Sequence, residues 1–223
     1  YRAIYGDDLN YGAWISKNRI FVPKGENGIY LNNCDGESNN KTWIVNNFIT
    51  LGGTQYLYGI RTYYSNHLNI YFNSLLLNAS TPNDSRGLSF YYGSDISLKN
   101  NSVQNKGQGY AIYVRGTNTL DQSDHNNFIT NGNYLGNWSG NNQATLSDWQ
   151  SASSMDRNSV SEVPLYAGLQ DLHANSALLN GEGIKVDTLT TDIDGDIRED
   201  PPDIGADEYT PTGENASLAK LHH

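Results

Sequence analysis

The pentapeptide NNFIT stands at residues 46–50 and again at 126–130. An internal repeat constrains a fold more than any local propensity, because every copy must adopt the same local structure and stack on its neighbours. Two degenerate copies lie between the exact ones: Phe72-Asn73-Ser74-Leu75-Leu76 and Asn100-Asn101-Ser102-Val103-Gln104. Aligning them puts Asn47, Asn73, Asn101 and Asn127 in one column, at intervals of 26, 28 and 26 residues. A second register keeps step: Gly28-Ile29-Tyr30-Leu31, Gly59-Ile60-Arg61-Thr62, Gly87-Leu88-Ser89-Phe90 and Ala111-Ile112-Tyr113-Val114. A third runs just ahead of the asparagines, in Leu68-Asn69-Ile70-Tyr71 and Ile96-Ser97-Leu98-Lys99.

Three short alternating segments in each period of about 27 residues predict strands, and strands repeated in step predict an all-β parallel β-helix. Each coil then lies about 4.8 Å above the previous one, so equivalent side chains stack. Asparagine amides hydrogen-bond along such a stack, and asparagine tolerates the left-handed backbone of a sharp corner. The asparagine column is therefore expected to be structural. Ile49, Leu75, Val103 and Ile129 form one expected inward ladder, and Ile60, Leu88 and Ile112 another. A β-sandwich also uses short strands, but it does not call for columns kept in step.

Composition agrees. The 223 residues carry 22 glycines and 16 tyrosines but only 17% charged residues, which suits strands joined by tight turns. Cys34 is the only cysteine, so an intrachain disulfide is excluded. A net charge of −10 with no basic stripe argues against nucleic acid as a partner. Residues 187–214 hold ten acidic residues against Arg198 alone, so the acidity belongs mostly to one segment. No stretch is long and apolar enough for a membrane span. No signal peptide is visible, and the chain opens mid-motif at Tyr1, as a processed or truncated start would.

After Thr130 the repeat dissolves, and Thr145-Leu146-Ser147-Asp148-Trp149-Gln150 reads as a helix start with Ser147 or Asp148 available as its cap. The succession LSDWQ, MDRNSVSEVPLY, DLHANSALLNGEG and TDIDGDIREDPPDIGADEY then follows. It resembles the C-terminal end of secreted bacterial right-handed parallel β-helix proteins of the pectate-lyase-like, β-helix-repeat kind. The resemblance covers residues 145–209; the coils match that group only in style. It implies a right-handed coil and an extracellular or cell-surface setting, but no particular reaction. The expected organisation is coils over 1–144, a final coil and capping segment of the same domain over 145–215, and a disordered or tag-derived tail over 216–223.

With Ile60, Leu88 and Ile112 inward, the alternating side chains point out. One outward column is Tyr30, Arg61, Ser89 and Tyr113; the next is Asn32, Tyr63, Tyr91 and Arg115. Aromatic rings stack sugar rings, and arginines hold hydroxyls or uronate carboxylates. Tyr30, Arg61, Tyr63, Tyr91, Tyr113 and Arg115 are thus the expected polysaccharide-binding residues, against the plainer reading of an exposed tyrosine-rich sheet.

Catalysis stays open. A lyase on uronate polymers needs a base and a cation beside the carboxylate. Arg61, Arg115, Lys99 and Lys106 are candidate cations and His67 or His125 candidate bases, with Lys99 and His125 aligned in one column beside Tyr71. A glycoside hydrolase needs two carboxylates roughly 5–10 Å apart; Asp84, Asp95, Asp121 and Asp124 are available without forming a clear pair. Asp192, Asp194 and Asp196 around Gly195 resemble a calcium loop, so Ca2+ is a candidate ion, although no cofactor is required. The competing expectation is a cap whose carboxylates accept backbone N–H bonds and cover the last coil. Two functions from different classes follow: a secreted or surface module that binds polysaccharide, as a monomer or within a larger surface protein, or a lyase or hydrolase acting on uronate-containing polymers.

Overall fold

The alternating segments form strands, and equivalent strands pair in parallel from coil to coil, giving a parallel β-solenoid of five three-stranded coils. A computed structural model describes residues 1–54, 56–79 and 85–215. Asp84 and the segment 216–223, including its expected tail, lie outside the described residues. The first coil is β1 (Arg2–Asp7), β2 (Trp14–Ser16) and β3 (Arg19–Val22), and the second is β4 (Asn27–Asn32), β5 (Thr42–Val45) and β6 (Phe48–Gly53). The third is β7 (Tyr58–Tyr63), β8 (Leu68–Tyr71) and β9 (Ser74–Ala79), and the fourth β10 (Arg86–Tyr91), β11 (Ile96–Lys99) and β12 (Ser102–Asn105). The fifth is β13 (Tyr110–Val114), β14 (Leu120–Asp124) and β15 (Asn127–Thr130). The first strands of the coils make the first sheet, the second strands the second sheet and the third strands the third. Beyond the expected end of the repeat, β16 (Gly136–Trp138) adds in parallel to the first sheet, and β17 (Asn141–Gln143) turns back antiparallel against it.

The core fills the space between the three sheets with Ile29, Ile60, Leu88 and Ile112 from the first, Ile44, Ile70 and Leu98 from the second, and Ile49, Leu75 and Val103 from the third. The small residues of the second register have a steric cause. A Cβ at Gly87 would stand 2.2 Å from Val103 Cγ1 and 2.6 Å from the Ala111 carbonyl oxygen, and Gly28 and Gly59 face Ile49 and Leu75 in the same way.

The asparagine ladder exists, but its last rung is not Asn127. Side-chain amides donate in sequence from Asn18 to Asn47 (2.8 Å), Asn47 to Asn73 (2.9 Å), Asn73 to Asn101 (3.0 Å) and Asn101 to Asn126 (3.0 Å). The backbone N–H groups of Asn18, Asn47, Asn73 and Asn101 donate to the same amide oxygen as their side chains do. Asn126 in turn donates to Asp156 (3.1 Å), a buried carboxylate that also accepts from Ser123, Ser159 and Trp149 Nε1. Burial pushes the Asp156 carboxyl up, and these donors oppose the shift.

The two NNFIT copies are therefore one residue out of step. Phe128, not Ile129, continues the Ile49, Leu75, Val103 ladder inward, while Ile129 pairs with Gln104 on the outer face and is only partly buried. A one-residue slip in a strand turns every side chain to the opposite face, so identical pentapeptides carry opposite patterns here. The left-handed corner also falls one residue earlier than expected: Lys17, Asn46, Phe72, Asn100 and His125 have φ between 51° and 56°, whereas the ladder asparagines do not. A ladder asparagine must aim its amide along the stack, so the preceding residue makes the bend.

The helix α1 (Leu146–Ser153) is capped by Thr145, with Asp148 completing a capping box, and not by Ser147 or Asp148. It brings Trp149, fully buried, over the C-terminal end of the core, where it meets Trp138 edge-on. The acidic segment does not lie over that end. It runs back as a strap along the outer face of the third sheet, where Leu172, Ile193 and Ala206 pack on Phe48 and Leu76. Its carboxylates accept backbone N–H bonds as expected: Asp192 from Asp194, Gly195, Asp196 and Glu208, and Asp203 from Gly181 and Tyr209.

The shifted register has a measurable consequence. Phe128→Ala should cost about 3–5 kcal/mol in urea unfolding, and Ile129→Ala less than half of that; the reverse order would restore the in-step reading. Asp156→Ala leaves buried donors from Ser123, Ser159, Trp149 and Asn126 without their acceptor, at about 1–3 kcal/mol each. It should therefore be among the most damaging single substitutions outside the apolar core, measured in the same way.

Candidate functional site

The outer face of the first sheet gathers all six expected binding residues. Tyr30, Arg61, Ser89 and Tyr113 stand in one register column, and Asn32, Tyr63 and Tyr91 in the next, continued by Arg115 just past β13. A third column, missed by sequence reasoning, consists of Tyr58, Arg86 and Tyr110. These residues immediately precede the small residue of each repeat, and that position was the available signal. Arg2 and Tyr5 of β1 extend the face towards the first coil.

The rings and guanidinium groups interleave. Tyr63, Tyr91 and Tyr113 follow one another with centroids 5.7 and 5.4 Å apart, each pair tilted by less than 45°. The Arg61 guanidinium sits 4.6 Å from the Tyr58 ring and 5.0 Å from Tyr30, and that of Arg86 sits 3.6 Å from Tyr113. Arg86 also donates to the Tyr91 hydroxyl, and Arg115 to the Tyr113 hydroxyl at 3.4 Å. The hydrogen bond from Arg115 to Tyr113 raises the Arg115 pKa further. At the edge of the face, Tyr64 and Tyr92 stack nearly parallel (4.9 Å, 13°), both about half exposed.

Two electrostatic features mark this face. Among the described residues, Arg2, Arg61, Arg86 and Arg115 have no carboxylate within 4.0 Å, although the chain is strongly acidic. Among the described residues, Arg61 Nε, Arg86 Nε and the buried Ser89 Oγ also lack a hydrogen-bond partner, as does Arg198 Nε on the strap.

The other expected residues are distributed elsewhere. His67 and Asp95 meet at the corner leading into the second sheet (Nδ1 to Oδ2, 2.6 Å), and Lys41 completes a cluster on Asp95 (2.5 Å). Burial pushes the Asp95 carboxyl up, but the hydrogen bonds from Lys41 and His67 outweigh it and hold the carboxyl below its ordinary value. Lys99 aligns with Tyr71 and Asp124, while His125 falls one residue beyond that column, a result of the same register shift. Lys99, Asp124 and His125 nevertheless border one shallow cavity of 360 Å³ with Arg157. Asp124 is engaged by Asn158, Asp121 is exposed on β14, and Lys106 is exposed just past β12 of the third sheet. On the second sheet, a stacked Trp14–Trp43 pair (5.1 Å, 11°) adds an aromatic surface that sequence reasoning did not single out.

Asp192, Asp194 and Asp196 do not converge on one point. Asp192 is buried under four backbone N–H groups, Asp194 pairs with Arg19 (2.5 Å) and His173 (2.8 Å), and Asp196 is exposed. Among the described residues, the group of three possible metal-ligating atoms within 4.8 Å of one another is His173, Asp194 and Asp207. Further along the strap, Arg198 and Glu208 form a buried ion pair (3.2 Å), with the Arg198 guanidinium 3.8 Å from the Phe72 ring.

No family profile, curated protein or solved structure matches the chain. The solenoid itself is present, but these comparisons add no support for a pectate-lyase-like identity or for the C-terminal motif as a family signature.

The strap carries its own pH dependence. Burial, with the Glu208 charge adding to it, pushes the Asp203 carboxyl up to about 7. The folded chain therefore keeps a proton that the unfolded chain releases near the ordinary carboxylate value. Stability from this group is full at low pH and is lost as pH rises towards 7. The urea midpoint should accordingly be lower at pH 8 than at pH 5, and Asp203→Asn should flatten that slope. An unchanged slope would assign the dependence to other groups.

Proposed function

We propose that this chain is a polysaccharide-binding module that holds an anionic, uronate-containing polymer along the outer face of the first sheet. The observation that carries this reading is the set of four arginines on one face, flanked by tyrosine rings and, among the described residues, without a carboxylate within 4.0 Å. Guanidinium groups kept among rings are weakly hydrated and present a planar fork matched to a carboxylate. The tyrosines offer apolar ring faces with hydroxyl edges, the surface that sugar rings stack on. From β1 to β13 the face crosses five strands, roughly 19 Å at the usual strand spacing. A linear polymer running along the solenoid axis would meet the same chemistry at each coil. On the third sheet the strap buries the outer face around Phe48 and Leu76. An extracellular or cell-surface setting, as a free module or within a larger surface protein, accords with such a partner.

Affinity gel electrophoresis against polygalacturonate and a neutral glucan tests the reading. Retardation by the acidic polymer alone is expected, weakening as salt is raised. Arg61→Ala, Tyr63→Ala and Tyr91→Ala should each reduce affinity by about tenfold, the equivalent of about 1.4 kcal/mol. Retention unchanged in both tyrosine variants would move the site off this face. Release of unsaturated product from the acidic polymer, lost in His67→Ala, would instead favour the lyase reading.

A further inference from the structure

Three side chains from separate stretches of the strap converge against the first two coils. His173 is held by Asp171, which bonds its Nδ1 and also accepts its backbone N–H. With the Nδ1 proton directed at Asp171, the Nε2 lone pair faces Asp194 Oδ2 at 2.8 Å and Asp207 Oδ1 at 4.0 Å. The imidazole is fixed further by its edge-on contact with Phe48 (5.1 Å). Three acceptor atoms aimed at one point repel unless a positive species lies between them.

A second proton on Nε2 satisfies Asp194 but cannot serve Asp207, because 4.0 Å exceeds hydrogen-bond reach. The Asp207 side chain is only 8% exposed. Its Oδ2 accepts from the Ala174 N–H, while no hydrogen bond among the described residues reaches Oδ1. A metal ion satisfies all three acceptors together. An ion held tetrahedrally at about 2.1 Å from nitrogen and oxygen ligands needs them about 3.4 Å apart. The separations of 2.8 and 4.0 Å bracket that value, so the site closes with shifts of under about 1 Å.

We propose that His173 Nε2, Asp194 Oδ2 and Asp207 Oδ1 bind one divalent first-row metal ion such as Zn2+, with Asp171 as the residue that orients the histidine. One imidazole with two carboxylates suits this class better than Ca2+, which takes oxygen ligands. A carboxylate on the far nitrogen of a ligating histidine is the usual support of such a site. The ion ties three points of the strap together beside Arg19, which pairs with the other Asp194 oxygen.

The test uses the whole chain, freed of metal with a chelator and titrated with Zn2+ while Tm is followed. His222 and His223 are present in every variant, so the difference between wild type and His173→Gln is the readout. Wild type should gain about 5 °C or more at a hundredfold excess over Kd, and His173→Gln should lose that gain. Asp171→Asn, which leaves all three ligands in place, should weaken Zn2+ binding 10- to 100-fold. Equal Zn2+ stabilisation of wild type and His173→Gln overturns the proposal, as does no stabilisation of wild type. Ca2+ stabilising wild type more than Zn2+ does also overturns it, and would favour an oxygen-ligand loop around Asp192.

Discussion

One chain of hydrogen bonds organises this molecule: five asparagine amides in line, each donating towards the C-terminus, closed by the carboxylate of Asp156. Four of the rungs, Asn47, Asn73, Asn101 and Asn126, are buried, and there an unpaired amide would be costly. Each rung satisfies its own coil and the next, so the ladder fixes how coil stacks on coil. The bend before each rung, the inward ladder after it and the outward columns on the first sheet all inherit that register. Asp156 completes the arrangement because an acceptor-only group is what the last donor requires. Around it, Trp149 supplies both the hydrogen bond and the apolar lid.

The three outer faces then diverge in use. The third sheet reads apolar on both sides, as in Ser74-Leu75-Leu76-Leu77, and the strap buries its outer side through Phe48 and Leu76. Buried ion pairing and carboxylates under backbone N–H groups hold the strap in place. The first sheet does the opposite. Among the described residues its arginines have no carboxylate within 4.0 Å and are packed among tyrosine rings, in a protein whose net negative charge is concentrated on the strap. This separation leaves the solenoid with a tyrosine- and arginine-rich outer face on the first sheet and a face covered by its own strap on the third.

Much of this was legible in the sequence, and the parts that were not have physical causes. The Gly28, Gly59, Gly87 and Ala111 register was readable because sterics there tolerate only a small side chain. The Tyr and Arg columns followed from alternation. Alternation also concealed Tyr58, Arg86 and Tyr110, since they share parity with the inward isoleucines yet lie outside, beyond the small residue. The doubled NNFIT misled because the fourth interval of the ladder is 25 residues and not 26, so identity of letters hid a difference of face. The His67–Asp95–Lys41 cluster and the meeting of His173, Asp194 and Asp207 arise from chain segments whose approach no local pattern records. The strap's path was equally hidden: an acidic composition suggested a cap but not which surface it covers.

The direction of the asparagine ladder makes the two ends of the stack chemically unequal. At one end the series stops on a group that can only accept. At the other, the Asn18 side chain donates to Asn47 while its own amide oxygen receives no donor among the described residues. An engineer lengthening this solenoid could splice new coils ahead of Asn18 and continue the same bonding pattern. Insertion after Asn126 would first require removing the carboxylate that terminates it. The polarity of one column of side chains thus sets the direction in which the scaffold can be extended.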